Sequence, residues 1–283
     1  MLSIAVMLGV LVLAAALLLW MLWPARPTSE MRVLLKGRTF AHRGMFDNTT
    51  EVPENSLAAF GAARDMGYGI ELDIHLSSDG EVVVFHDNTL ARMCGTTRKV
   101  EALTLAELKA LSLLATDQKI PSLRELLTLV DGSVPLLIEF KTGLPGSAVI
   151  RPLCEAACRL LDGYKGEYLV ESFDANVLSW FKTNRPKVMR GQLAMGFATY
   201  ERALGKAGAA SIPLLRRRML SWLLCNYTSR PHFISYRFED AGLPLRICMI
   251  LGAMVSVWTV RKQEDSVRLL AHYDAVIFEG FKA

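Results

Sequence analysis

The chain has 283 residues, 52% of them hydrophobic, with 32 basic and 28 acidic side chains and a net charge of +4. That apolar fraction supplies one large core, while the mild charge excludes a typical nucleic-acid binder and at most favours anionic lipid headgroups. The five cysteines (Cys94, Cys154, Cys158, Cys225 and Cys248) form no CxxC pair, and an odd, scattered set fits a reducing compartment better than a disulfide framework. Cys154 and Cys158 sit one helical turn apart, a spacing for core packing.

Residues 2–23 (LSIAVMLGVLVLAAALLLWMLW) contain no charge and no proline. At ~1.5 Å per residue such a helix reaches ~33 Å, matching a hydrocarbon core of ~30 Å. A secretory signal is the rival reading. Against it stand the missing basic n-region, an over-long apolar run and the lack of a small-x-small site after Trp23. The retained membrane anchor is therefore the expectation. Arg26, Arg32, Lys36 and Arg38 follow the span against one acid, Glu30, so the positive-inside tendency places the rest of the chain in the cytoplasm. Residues 24–38 read as a juxtamembrane linker and 39–283 as the soluble domain.

Strand-like runs then alternate with helical patterns: TFAHRG (39–44), GIELDIHL (69–76), VPLLIEFK (134–141), EYLVESF (167–173), MRGQLAM (189–195), HFISYR (232–237), MVSVWTV (254–260) and DAVIFEGF (274–281). Thr104 with Glu107 and Ser122 with Glu125 fit capping boxes, and Asp174 caps a helix whose Val177, Leu178 and Phe181 share one face. Eight such units predict an α/β fold, a (β/α)8 TIM barrel, with a doubly wound open sheet as the competing architecture. VVVFHD (82–87) follows GIELDIHL too closely for a parallel crossover. With Asp79-Gly80 as a two-residue turn, it is an antiparallel hairpin arm. That register sets Ser78 against Glu81, His75 against Val84 and Asp73 against His86, with Glu71, Asp73 and His86 on one face.

Barrel active sites form at the C-terminal ends of the strands. Those ends carry His42, Arg43, Glu71, Asp73, Glu139 and Lys141, and the hairpin delivers His86. Glu71/Asp73 and Glu139/Lys141 are i, i+2 pairs, so each projects to one face, while Ile70, Leu72, Ile74, Ile138 and Phe140 face the helices. Three acids crowded at neighbouring strand ends call for a cation, and all-oxygen ligation suits Mg²⁺ or Ca²⁺. Two histidines serve as base and acid near neutral pH, and Arg43 and Lys141 flank an anionic group. Together they describe phosphoryl chemistry. His75 reads as a partly exposed hairpin residue without a role.

The motifs HRG (42–44), PENS (53–56), ELDIHLSSDGEVVVFHD (71–87), IPSLRELL (120–127), IEFK (138–141), SF (172–173), WTV (258–260) and IFEG (277–280) occur in one order. In this the chain resembles the glycerophosphodiester phosphodiesterases across nearly all of its soluble part. The resemblance implies a TIM barrel with an insertion at about 88–119. It also implies a divalent metal on Glu71, Asp73 and Glu139, acid–base roles for His42 and His86, and Arg43 and Lys141 near phosphate. The implied reaction is metal-dependent hydrolysis of glycerophosphodiesters to glycerol 3-phosphate and an alcohol. Trp258 matches a family tryptophan that contacts the alcohol moiety, or else packs in the core. Glu54 and Asn55 lie in the PEN motif, where helix capping and loop ordering compete with substrate contact. Ser78 and the closing IFEGF depart from the family pattern at positions expected to touch no catalytic group.

Residues 211–230 (SIPLLRRRMLSWLLCNYTSR) read as a barrel helix with a charged first turn, or as a basic amphipathic helix on an anionic membrane. The second reading admits lysophospholipid substrates. The functional alternatives are a lysophospholipase D or sphingomyelinase D-like lyase releasing a cyclic phosphate, a carboxylate glycosidase that leaves both histidines unexplained, and a decayed, membrane-tethered binding module.

Overall fold

The computed structural model describes residues 2–143 and 147–283. α1 (Leu2–Leu22) leads to α2 (Ser29–Leu35), and β1 (Arg38–Ala41) opens the sheet. α3 (Leu57–Asp65) returns to β2 (Gly69–Leu76), which turns directly into β3 (Val82–Val84). α4 (Ala91–Cys94) and α5 (Leu105–Ala110) follow, and α6 (Leu123–Val130) brings the chain to β4 (Leu136–Phe140). Next come α7 (Ile150–Leu161), β5 (Tyr168–Ser172), α8 (Ala175–Asn184) and β6 (Arg190–Ala194). Three helices, α9 (Phe197–Ser211), α10 (Leu214–Ser221) and α11 (Asn226–Ser229), precede β7 (Phe233–Arg237). α12 (Leu243–Ile250), β8 (Met254–Val260), α13 (Gln263–Leu270) and β9 (Ala275–Phe278) complete the circuit.

The strands run in the order β1-β9-β8-β7-β6-β5-β4-β2, and β1 also pairs with β2. This closed parallel ring of eight is a TIM barrel, which excludes the open doubly wound sheet. All eight expected strands form. Alternation along them separates two apolar layers. Ile70, Leu72, Ile74, Ile138 and Phe140 face outward into a core shared with Leu123, Leu126 and Phe181 of the helices. Leu137, Leu169, Phe233, Met254 and Ile277 fill the inside at the N-terminal end of the ring.

That inner layer is sealed by α2. Its Met31 and Leu35, one turn apart, pack onto the interior cluster, and Thr28 Oγ1 accepts the Met31 N–H at 3.3 Å as an N-cap. The stretch expected to be a juxtamembrane linker thus contains a seven-residue helix that closes the barrel floor. Seven residues with two inward apolar side chains carry too little periodicity to show in a sequence; the cavity they fill exists only once the ring has closed. Burying Leu35 fully contributes about 2 kcal/mol.

The hairpin differs from its expected register by one residue. Ile74 pairs with Val84, His75 with Val83 and Leu76 with Val82. Ser77 closes a three-residue loop: its N–H donates to Glu81 O at 2.9 Å, and its Oγ accepts the Glu81 N–H at 2.9 Å. Gly80 takes φ +82°, the left-handed position such loops require. A one-residue slip reverses every face, so Phe85, not His86, meets Asp73, donating its N–H to Asp73 O at 3.0 Å. The pairing ends at that bond; Val84 N–H goes instead to Pro121 O, and the departing chain carries His86 to the barrel mouth.

The remaining local expectations hold. Both capping boxes are made, at Thr104/Glu107 and Ser122/Glu125, and Asp174 caps α8 through Asn176 N. Residues 88–119 carry a small core of their own, in which Leu90, Met93, Val100, Leu103 and Leu108 pack under Val83 and Phe85. Residues 211–230 are not one amphipathic helix. They break into α10 and α11, with Leu220 and Leu223 buried and Leu215 and Trp222 exposed.

Candidate active site

The site begins at the end of β1. Arg43 adopts φ +57°, and its N–H donates to Glu71 Oε2 at 3.0 Å, turning the chain sharply out of the strand. Gly44 follows at φ +83°, where a Cβ would lie 2.7 Å from the Ala59 carbonyl carbon, so the HRG turn packs directly on α3. Asn55, also left-handed at φ +54°, ties this loop down: its N–H donates to Arg43 O at 3.0 Å and its Nδ2 to Asp73 Oδ2 at 3.0 Å.

Glu71, Asp73 and Glu139 converge. All three are buried, and one oxygen from each lies within 4.8 Å of the others. Asp73 and Glu139 are register partners on β2 and β4, and Lys141 Nζ bridges them at 3.1 Å and 2.8 Å. Arg43 Nε stands 3.6 Å from Asp73 Oδ2. A fourth acid, Glu171, is the register partner of Glu139 on β5 and is equally buried.

Two cations do not balance four carboxylates. Burial, then the charges of Asp73, Glu171 and Glu139, push Glu71 well above the usual range. Burial pushes Glu139 up to about 7 despite the ammonium of Lys141. Glu171 is raised by burial and by Glu139. Asp73 alone is held low: burial opposes its ionisation, but Lys141, His86 and Arg43 outweigh it. This residual negative demand, on oxygens no farther apart than the ~4.8 Å that opposed ligands span around a hard cation, makes the triad a fitting divalent site.

Each histidine is fixed by a carboxylate. His42 Nδ1 lies 2.5 Å from Glu279 Oε2, and Arg261 Nε donates to the other Glu279 oxygen at 2.7 Å. His86 Nδ1 lies 2.6 Å from Asp87 Oδ1, and Arg92 Nε donates to Asp87 Oδ2 at 2.8 Å. A donor Nδ1–H in each leaves Nε2 free as the proton-transfer atom. Burial lowers both histidine pKa values, with Glu279 partly opposing it at His42 and Lys141 adding to it at His86.

Glu54 links the two halves. It accepts Arg43 Nη1 at 2.7 Å, Arg92 Nη2 at 2.7 Å and Asn48 Nδ2 at 2.8 Å, and these partners hold its carboxyl at about 2 although burial opposes ionisation. The PEN motif thus orders the loop. Trp258 stacks edge-on with Phe173 at 5.9 Å and packs against the inner core, while its Nε1–H has no protein partner. A 350 Å³ cavity opens beside His86, Glu139 and Lys141 and extends to Met195, Tyr200 and Ile212.

The structure brings together His42, Arg43, Glu71, Asp73, His86, Glu139 and Lys141 as expected. It corrects two readings. His75 is fully buried, pushed down to about 4 by burial and the charge of Lys141, and its Nε2 lies 3.4 Å from the His86 carbonyl oxygen, which it helps hold. The closing IFEG, expected to touch no catalytic group, supplies Glu279 to His42. Glu279, Asp87, Arg92 and Glu171 were not singled out from the sequence. Asp87 lies beside His86 in FHD and was within reach of inspection; Glu279 lies 237 residues from His42 and becomes its neighbour only when β9 pairs with β1.

A barrel with a buried acidic triad and two carboxylate-oriented imidazoles at its mouth belongs to the class of enzymes that work on phosphate esters. The comparisons narrow that class. Residues 42–279 match the glycerophosphoryl diester phosphodiesterase family, and the chain is a member of it and thus a phosphoric diester hydrolase. It is 29% identical over 252 residues to a glycerophosphodiester phosphodiesterase of Caldanaerobacter subterraneus, covering 86% of this chain and 94% of that one. It is 38% identical over 112 residues to human glycerophosphodiester phosphodiesterase 1, covering 35% of this chain and 33% of the human protein. Among solved structures, the Thermotoga maritima glycerophosphodiester phosphodiesterase superposes with a TM-score of 0.61 at 25% identity, covering 85% of this chain and 93% of that one. An Oleispira antarctica phosphodiesterase in complex with sn-glycerol-3-phosphate gives 0.66 at 22% identity, covering 86% and 93%, a likeness of fold.

Proposed function

We propose that the chain hydrolyses glycerophosphodiesters to glycerol 3-phosphate and an alcohol, in lipid and glycerol metabolism, from a membrane-anchored position. The observation that carries this reading is the pair of imidazoles, each held through Nδ1 by its own carboxylate at the mouth that holds the acidic triad. Glu71, Asp73 and Glu139 would hold a divalent cation, Mg²⁺ or Ca²⁺, which would supply charge neutralisation to the phosphate. Arg43 and Lys141 add fixed positive charge there, and burial strengthens it. One imidazole takes the proton of the attacking hydroxyl through Nε2. The other enters the cycle protonated and gives its proton to the leaving alkoxide as the P–O bond to the alcohol breaks, and proton exchange with water restores the pair. Trp258 Nε1–H is a donor available to the glycerol or alcohol hydroxyls. Family membership favours hydrolysis over the cyclising lyase.

The test is a panel of glycerophosphocholine, glycerophosphoethanolamine, glycerophosphoglycerol and lysophospholipids, run with the whole chain, with and without EDTA, and followed by phosphorus NMR. Glycerol 3-phosphate that disappears with EDTA and returns with Mg²⁺ or Ca²⁺ is expected. A cyclic phosphate end product, or turnover indifferent to chelation, overturns the reading.

For the anchor, α1 offers 19 residues of mean hydropathy 2.8, exposed along nearly all of their length. The basic flank after it supports a cytoplasmic barrel. Protease added outside intact cells leaves the barrel uncut on this reading; cleavage there reverses the orientation.

A further inference from the structure

α1 is exposed from residue 4 to residue 20, and only its end engages the barrel. Leu22, 1% exposed, joins the core beside Leu223 and Cys248. Arg230 Nη1 donates to Trp20 O at 2.8 Å and Trp23 O at 2.7 Å, and Asn226 Nδ2 donates to Leu22 O at 3.2 Å. The last carbonyls of a helix have no partner within it; here α11 and its flank supply them, with a cation at the negative end of the helix dipole. The Arg230 guanidinium also lies 5.1 Å from the Trp20 ring centroid, and Tyr227 packs on the same ring at 5.4 Å. Just beyond, Ala25 N–H donates to Pro231 O at 2.9 Å, and α2 then plugs the floor. No slack chain separates α1 from the barrel.

These contacts all lie at one end of the molecule. α11 and α12 lead into the N-terminal ends of β7 and β8, whereas His42, Asp73 and Glu139 stand at the opposite strand ends. The floor end also exposes Arg26, Arg32, Lys36 and Lys187, together with Trp23 and the 84% exposed Ile250. Basic and aromatic side chains around the exit of an apolar helix are the composition of a headgroup-contacting surface.

We propose that α1 is a rigid stalk that sets the barrel floor against an anionic bilayer surface, so that the mouth carrying the acidic triad opens to water on the far side. The inference rests on α1 spanning the bilayer and not on the catalytic assignment. Ile250 and Gln263 flank β8, whose seven residues separate floor from mouth by ~20 Å. The whole chain, with Cys94 and Cys225 replaced by serine, is reconstituted into nanodiscs of phosphatidylcholine and phosphatidylglycerol containing a headgroup-nitroxide lipid. A fluorophore is placed on I250C or Q263C.

Loss of most of the emission at 250 and none at 263 is expected. Arg230→Ala, which frees the end of α1, is expected to weaken the quenching at 250 while glycerophosphocholine turnover in detergent stays unchanged. Equal quenching at both positions, quenching at neither, failure of the chain to enter the discs, or quenching at 250 indifferent to Arg230→Ala overturns the proposal. The readout is optical, so inactivity toward glycerophosphocholine breaks the catalytic reading and leaves this one standing.

Discussion

The two ends of the barrel solve opposite problems with the same eight strands. At the floor, inward positions carry Leu137, Leu169, Phe233 and Met254, and α2 seals them from water. At the mouth, inward positions carry Glu139, Glu171, Glu71 and Asp73, also buried but with their charges unbalanced. Leu137 and Glu139 are neighbours on the same face of β4, yet one stabilises the ring and the other strains it. Burial is cheap for a methyl and costly for a carboxylate, so the mouth stores a demand for cation and phosphate that the floor supports.

The sharpest break of that contrast is at the mouth. His42→Ala and His86→Ala are each expected to lower kcat at least ~10²-fold with an unchanged circular dichroism spectrum; near-normal turnover in either removes its role. Next, Leu35→Ala at the floor is expected to cost about 2–4 kcal/mol in denaturant unfolding with kcat unaltered below the transition. A stability within error of the parent shows that α2 is not a plug.

A smaller effect comes from His75, held neutral with a pKa of about 4 beside the mouth. Its folded pKa lies below its unfolded one, so unfolding takes up a proton, and the parent loses stability as pH falls from about 6.5 to 4, by at most ~1.4 kcal/mol per pH unit. His75→Gln lacks that slope, and the gap between the two unfolding curves is expected to narrow towards acid; parallel curves sink the assignment. Smallest is Ser122→Ala, which removes a capping box on the outer wall and is expected to cost ~1 kcal/mol without touching activity.

Local signals in the chain name the alternation of strands and helices, both capping boxes, the apolar stripes and six of the residues that meet at the mouth, whereas the pairing expected to place His86 there is shifted by one residue. Those features depend on near neighbours and on the period of two or 3.6 residues, which a sequence displays directly. Tertiary structure alone decided the rest. The hairpin register turned on how Ser77 closes a loop; the helix in 24–38 exists because a closed ring presents a floor; His75 is buried beside Val83, its strand partner, which lies in the core the insertion forms. Glu279 reaches His42 only because the last strand pairs with the first. Contacts between distant segments are set by the closure of the barrel, and no local pattern encodes where a ring will shut.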